Sequence, residues 1–296
     1  MRREMFPAAP AQVRQDFCII AGEEAFGVGK FDGVLIASDF DDTLCNSDDL
    51  VSRENYKAIA GFIAEGGRFT VATGRAKRTF LPCLHMAPIN APVILSNGAS
   101  LYDFAADRAV LETCLPDRAA EDIAELLTAF PALAIEAYHG EDIYVCRPNR
   151  ITGLHMARVG TGYTLCSSPA EMPRPWTKVI VEGEPPILLS AQRYFRRLHG
   201  ASYEVIFSNP VLLEITAKGS TKGGMVQRLA ELLGIRGENV YCIGDNQNDL
   251  PMLHVARVGF CPANASPEVL ASGFRVLPSC DDHCIREMIR VVGTFY

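Results

Sequence analysis

Long apolar runs are missing from this 296-residue sequence: stretches such as 34–38 and 92–95 stop after a few residues, well short of the roughly 20 that a membrane helix needs. No membrane is expected as a partner. The first ten residues carry Arg2 and Arg3 with no continuous apolar segment behind them, so a cleaved secretory signal is not expected and the chain reads as cytoplasmic. Positive charge is also short. With 28 Lys and Arg against 35 Asp and Glu the formal net charge is −7, which removes the attraction of a basic surface for polyphosphate and excludes nucleic acid as the expected partner. A small ligand is left. No Gly-x-x-x-x-Gly-Lys-Ser/Thr loop occurs either: Gly27-Val28-Gly29-Lys30-Phe31 lacks the hydroxyl and precedes no clear helix, which argues against a nucleotide kinase or ATPase of that type.

Paired cysteine spacing is likewise absent. The ten cysteines are scattered through apolar segments (Cys18, Cys45, Cys146, Cys242) of a chain too large to need staples, so reduced, buried thiols are expected. The tight cluster Cys280-Asp281-Asp282-His283-Cys284 has no partnering pair at zinc-site spacing. Internal repeats and low-complexity tracts are missing too.

What is present is core. Apolar residues make up 48% of the chain, enough for one large domain or two modest ones. Residues 1–30 show no sustained period. From Val34 the pattern sharpens: 34–38 is a short buried-strand run ending in an acidic turn, followed by a helix with Ser52 as N-cap and Tyr56, Ile59, Ala60, Phe62 and Ile63 on its apolar face. Gly66-Gly67 closes that helix, a second strand covers 68–72, Thr73-Gly74-Arg75 forms the turn beyond it, and 93–95 predicts a third strand running into Ser96-Asn97-Gly98. Strand, helix, strand with short links implies a doubly wound parallel sheet of Rossmann-like type, an α/β fold, with ligands bound at the carboxyl ends of its strands.

Between about 102 and 213 the character changes. Helices near 117–130 and 187–198 and strands at 134–137, 143–146, 178–182 and 203–207, with Pro169, Pro173, Pro175, Pro185 and Pro186 in the loops, suit a separate α+β unit with one exposed sheet face. A mobile cap is expected. The doubly wound pattern then returns with a helix at 222–233 and a strand at 240–243 that ends in Gly244-Asp245-Asn246-Gln247-Asn248-Asp249.

Chemistry gathers at three of these strand ends. Asp39, Asp41 and Asp42 repel one another unless a cation or a donor array holds them, and magnesium, which takes hard oxygen ligands and keeps waters and substrate phosphate in its shell, is the economical partner. Asp39 and Asp41, two apart, can both reach one site if the chain turns sharply. Asp245 and Asp249 supply further oxygens at a second strand end. Thr73 and Gly74 offer a hydroxyl and backbone donors to an anion, and Lys222, opening a helix, can place its ammonium on the same charges. Taken singly, each has a plainer explanation: a solvated acidic turn, an Asx-rich helix cap, a surface lysine, an ordinary Thr-Gly turn.

The order is more specific than the parts. Asp39-Phe40-Asp41-Asp42-Thr43-Leu44, Thr73-Gly74-Arg75, Lys222, and Gly244-Asp245 to Asn248-Asp249 resemble, in sequence, the four motifs of the haloacid dehalogenase superfamily. The insert between the second and third motifs is similar to a type C2 cap of the C2B kind, and Asn97-Gly98-Ala99 resembles a turn of the Cof-like branch, whose members mostly hydrolyse phosphorylated sugars and related metabolites. One position departs: Asp42 stands where Cof-like members usually carry glycine.

The resemblance implies an N-terminal extension over 1–30, core over 31–101, cap over 102–213 and core again over 214–296. It implies a magnesium-dependent phosphatase acting on a small phosphorylated metabolite, with Asp39 as the nucleophile that becomes an aspartyl-phosphate and Asp41 as acid and base. Asp39, the Asp41 backbone carbonyl, Asp245 and Asp249 would hold Mg2+, supported by Asn248; Thr73, Gly74, Lys222 and Asn248 would bind the phosphoryl group, and Lys222 would keep Asp39 ionised. Tyr138, His139, Arg147 and Arg150 are the cap residues expected to be worth inspecting for substrate choice. A phosphomutase would share every motif, and a non-catalytic metabolite-binding regulator could use the same fold.

Overall fold

The computed structural model describes residues 29–296; the extension expected over 1–30 lies, but for its last two residues, outside the described part. The first strand, β1 (Leu35–Ser38), is buried throughout, as an apolar strand with neighbours on both sides and helices above and below must be. A helix over Arg53–Ala64 follows, with Ser52 Oγ accepting the Asn55 N–H at 3.2 Å. Its buried face is Asn55, Ile59 and Phe62, whereas Tyr56 and Ala60 are exposed; Asn55 turns inward because its Oδ1 accepts the Arg286 N–H, a use of amide chemistry that an apolar pattern does not reveal.

The chain returns through β2 (Arg68–Val71), parallel to β1. The expected third parallel strand is different: β3 (Val93–Leu95) meets the residue just past β2 through a single parallel bridge, Ala72 to Ile94, and pairs antiparallel with β4 (Ser100–Asp103), which pairs with β5 (Arg108–Glu112). The reason is local. Ser96, Asn97 and Gly98 all have positive φ, and that tight reversal sends the chain straight back along β3 instead of into a crossover.

A second sheet is built from β6 (Ala134–His139), β7 (Asp142–Cys146), β8 (Thr164–Cys166), β9 (Lys178–Glu182), β10 (Tyr203–Asn209) and β11 (Leu212–Ala217), in the order β10-β11-β9-β6-β7-β8. Strand pairing thus assigns β4 and β5 to the β3 side and carries the second sheet on to Ala217. One face packs the helices Ala119–Ala129 and Pro185–His199 around Trp176 and Phe195. The other packs the helix Arg150–Val159 through Ile151 and Met156 and turns Glu136, Tyr138, Lys178, Ile180, Glu182 and Glu214 toward the first sheet; the alternation is the period of two that every strand imposes.

The helix Lys222–Leu232 leads to β12 (Val240–Ile243), β13 (Val258–Pro262) and β14 (Arg275–Leu277), which complete a five-stranded parallel sheet in the order β14-β13-β12-β1-β2. Val34, Ile36, Phe69, Val71 and Tyr241 pack on one face with the helices Arg53–Ala64 and Cys284–Val292, and Leu35, Ala37, Val240 and Cys242 on the other with Lys222–Leu232 and Leu250–Val255. The sheet therefore carries helices on both faces. The chain proceeds from β1 to β2 on one side and later to β12 on the other, so the switch point falls between β1 and β12, where a crevice opens at the carboxyl ends. Among the described residues no helix is long and apolar enough to cross a membrane.

Candidate active site

Asp39 is the first residue beyond β1, and Gly244-Asp245 the first beyond β12, so two neighbouring strands deliver both acidic turns to one spot. After Asp39 the chain makes a single wide turn over Phe40–Leu44, anchored by the Phe40 ring packed edge-on against Phe80 at 5.2 Å. Within it Asp42 adopts φ 57°, ψ 11°. That left-handed conformation suits glycine, and aspartate is among the few side chains that enter it at modest expense, which is how Asp42 can occupy a position whose backbone favours glycine.

Lys222 is wholly buried, its Nζ donating at 2.6 Å to Asp39 Oδ1 and at 2.6 Å to Asp249 Oδ1. Thr221 caps its helix by accepting the Gly224 N–H. Asp249 Oδ2 accepts the N–H groups of Asp245 and Asn246, both at 3.0 Å, so both Asp249 oxygens are engaged and the residue braces the loop and the lysine together. Asp245 Oδ1 accepts the Thr43 hydroxyl at 3.0 Å.

Asp39, Asp245 and Asp249 each present an oxygen within 4.8 Å of the others. Burial and the nearby Asp249 carboxylate push Asp39 well above the usual carboxylate range against the pull of Lys222, and the same two causes push Asp245 up to about 6. Burial works against the charge on Lys222, but Asp249 and Asp39 outweigh it and raise its pKa. Among the described residues a single ammonium, that of Lys222, meets this cluster of two buried carboxylates and a half-buried one, so the cluster is short of positive charge. A divalent cation with hard-oxygen preference fits that deficit.

Asp41 stands apart from this cluster. Its carboxylate takes two hydrogen bonds from Arg75, Nε to Oδ2 at 3.0 Å and Nη2 to Oδ1 at 2.6 Å, while the guanidinium lies 5.2 Å from the centre of the Phe40 ring. The Asp41 side chain does not converge with the other carboxylates, and its backbone carbonyl is the group expected from sequence on the metal. Arg75, read as part of a motif without a task of its own, turns out to hold Asp41 in place.

Asp39, Asp41, Gly74, Asp245 and Asn248 line a cavity of about 160 Å³ between the two sheets. Thr73, Lys222 and Asp249 lie buried behind its wall, with Thr73 Oγ1 accepting the Arg75 N–H at 3.1 Å. Asn248 Nδ2 donates to Asn97 Oδ1 at 3.0 Å, and its own Oδ1 is buried without a protein partner. Gly98 is required where it stands: at φ +97° a Cβ would sit 2.2 Å from the Thr221 carbonyl oxygen, so the Asn97 turn can nest against the start of the lysine helix only with glycine.

The second sheet closes the cavity from above. Tyr138 lines it, but the other three cap residues named from sequence do not: His139 Nδ1 meets the Pro175 carbonyl, Arg147 donates to the Leu127 carbonyl, and Arg150 faces Glu184. Polar residues of this side that do line it, among them His155, Arg158, Lys178 and Glu214, were not singled out from sequence. The available signal was a Lys that opens the apolar run of β9 and a Glu that interrupts that of β11. Their pairing at 3.4 Å, and the hydrogen bond from Lys178 Nζ to the Gly74 carbonyl at 2.7 Å, are what make them tolerable there.

A family profile described as haloacid dehalogenase-like hydrolase matches residues 36–289. The chain belongs to the haloacid dehalogenase-like hydrolases. YxeH of Bacillus subtilis (strain 168) is 29% identical over 269 residues, spanning 86% of this chain and 98% of that protein. The 5-amino-6-(5-phospho-D-ribitylamino)uracil phosphatase YwtE of the same organism is 26% identical over 282 residues, covering 86% and 96%. In fold, this hydrolase matches a haloacid dehalogenase-like hydrolase from Bacteroides thetaiotaomicron with a TM-score of 0.74 at 24% identity, covering 88% and 99% of the two chains. It matches the subclass IIB sugar phosphatase BT4131 with a TM-score of 0.76 at 19% identity, covering 88% and 99%. The chain is a Cof-like member of the family, and its enzyme class is that of a phosphatase.

Proposed function

We propose that this phosphatase hydrolyses a small phosphorylated metabolite, a sugar phosphate or similar, with magnesium and through an aspartyl-phosphate at Asp39. The observation that carries this is the placement of the Asp39 carboxylate at the cavity floor, bonded to buried Lys222 and beside Asp245, with Asp41 two residues on and held by Arg75. Asp39 attacks phosphorus, the bond from phosphorus to the leaving oxygen breaks, and Asp41 gives that oxygen its proton. Asp41 then takes a proton from water, whose oxygen attacks the same phosphorus and returns Asp39 as a carboxylate with release of phosphate. Lys222, and Gly74 with Asn248 at the wall, offset the charge of the transferring oxygens.

Asp39, Asp245 and the Asp41 carbonyl would hold Mg2+, with Asp249 bracing their loop and Lys222; the ion when bound would neutralise charge on phosphate and carboxylates. A cavity of about 160 Å³ suits a compact metabolite, being smaller than the ~300–1,000 Å³ of sites for drug-sized ligands. We further take the second sheet and its helices as a cap over a core formed by the parallel sheet, with the insertion beginning after β5 and ending at β11.

The test is phosphate release from p-nitrophenyl phosphate and a panel of phosphorylated metabolites, with and without magnesium, in the wild type and Asp39→Asn. Release that needs magnesium and disappears in the variant is expected. Interconversion of phosphate isomers without release would make the chain a phosphomutase, and no turnover of any kind would point to a binding role.

A further inference from the structure

The cap face above the cavity contains a buried polar network that the phosphoryl chemistry does not use. His155 Nδ1 meets Glu136 Oε1 at 2.9 Å and Oε2 at 3.1 Å, and the Tyr138 hydroxyl donates to Glu136 Oε2 at 2.9 Å. Behind them Glu182 accepts the Thr152 hydroxyl and lies 3.8 Å from the same imidazole nitrogen. Both glutamates are 0% exposed. Two buried carboxylates in contact hold one proton between them: burial, then the hydrogen bond and charge of Glu136, push Glu182 up to about 9, whereas the donors from His155 and Tyr138 overcome burial and hold Glu136 below its ordinary value. An ionised Glu136 accepts only, so His155 Nδ1 carries a proton and the ring is fixed with Nε2 left for another partner.

The same helix supplies a cation. Arg158 is three residues after His155, one turn along the same face, and both line the cavity that opens on Asp39. Its acidic neighbour is Asp42 at 3.8 Å, beyond hydrogen-bond distance. The other cations of the site are committed: Lys222 to Asp39 and Asp249, Arg75 to Asp41, Lys178 to Glu214 and the Gly74 carbonyl. Among the described residues, Arg158 is thus the cation of the cavity least committed to the protein's own acceptors, and the His155 ring beside it leaves Nε2 without a protein partner.

We propose that His155 and Arg158 form an anion subsite on the cap that recognises a second anionic group, a carboxylate or a second phosphoryl group, on the leaving-group side of the substrate. This rests on Asp39 being the phosphoryl site: a substrate seated there points its remainder toward the helix Arg150–Val159. Glu136 and Glu182 are positioning residues, because they fix the ring and its proton without touching the ligand. Thr152 ties the start of the helix to Glu182, and Asn149 caps it by accepting the Ile151 and Thr152 N–H groups, so the helix face is set by the same network.

The experiment compares matched ligands. 6-Phosphogluconate adds a carboxylate, and glucose 1,6-bisphosphate a second phosphoryl group, to the frame of glucose 6-phosphate. In the wild type kcat/KM should be about tenfold or more higher for one or both doubly anionic compounds, as a charge-assisted hydrogen bond supplies. In His155→Gln and Arg158→Gln the ratio should collapse toward one through KM with kcat little changed, while Arg236→Gln, on a surface remote from the cavity, keeps it. Which of the two compounds is preferred tells carboxylate from phosphate.

The same comparison by thermal shift in Asp39→Asn reads binding without turnover. A larger shift with the doubly anionic ligands, lost on adding His155→Gln, upholds the subsite even if no hydrolysis is seen. Equal shifts for all three sugars, or a preference that survives in the double variant, would overturn it. Glu136→Gln should lower the preference less than His155→Gln; a fall in kcat with KM unmoved would instead mark the network as merely structural and count against the subsite.

Discussion

Lys222 links the two acidic turns, and its removal tests whether the charge cluster is structural as well as chemical. Lys222→Met leaves Asp39 and Asp249 buried together without their shared ammonium, and breaking a buried ion pair from one side costs about 3–5 kcal/mol. Denaturant unfolding should show a loss of that size together with loss of phosphate release; unaltered stability would mean the pair is solvated in solution. Glu182 offers a titration test. Its folded-state pKa of about 9 lies above the ordinary 4.5, so the folded chain keeps a proton that the unfolded chain releases. Stability is therefore fully present at low pH and declines as pH rises through that window. Glu182→Gln retains a buried hydrogen-bonding side chain without the titration, and its Tm should fall less than that of the wild type between neutral pH and about pH 9. Parallel curves would refute the shared-proton assignment.

Among elements, short apolar runs bounded by glycine were the legible ones. β1, β9 and β12 stand where 34–38, 178–182 and 240–243 predict strands, because strands buried on both faces are continuous apolar runs. The helix Arg150–Val159 went unread because its inner face carries Thr152 and His155 while Leu154 is exposed, inverting the apolar pattern. Only the capping box of Asn149 and Thr152 signalled it. The Asn97-Gly98 turn was visible in sequence, but not what it touches. Gly98→Ala combines an unfavourable φ with a clash against the Thr221 carbonyl, so a loss of at least about 1 kcal/mol is expected in thermal unfolding, with weaker phosphate binding as the Asn97 to Asn248 hydrogen bond shifts. A neutral variant would show that the turn can move away from the lysine helix.

For the whole molecule, the two sheets meet through few polar contacts at the cavity. Lys178 Nζ to the Gly74 carbonyl at 2.7 Å, Asn246 Nδ2 to the Ser208 carbonyl at 2.9 Å and the loose Arg158–Asp42 pair tie cap to core. Interfaces this polar permit relative motion. Lys178→Met removes the contact to the phosphate-side loop and should raise KM more than it lowers kcat, with a larger radius of gyration by small-angle scattering in the absence of ligand. An unchanged scattering curve with unchanged KM would show that Lys178 does not hold the cap.

The sequence by itself determined the parallel sheet, the order of the acidic, hydroxyl and lysine motifs along it, and the family, because each is written in contiguous runs whose period or spacing survives without knowledge of neighbours. Asp39, Asp245 and Asp249 needed only strand ends to be placed, and Lys222 only a helix start. Tertiary structure alone decided that β3 folds back instead of crossing over, that Arg75 takes Asp41 away from the other carboxylates, and that a glutamate dyad aims His155 into the cavity. Those outcomes depend on which buried charges meet, and residues such as 136, 155 and 182 come together only when strands and helix have packed, since desolvation makes each charge choose a partner that linear spacing cannot name.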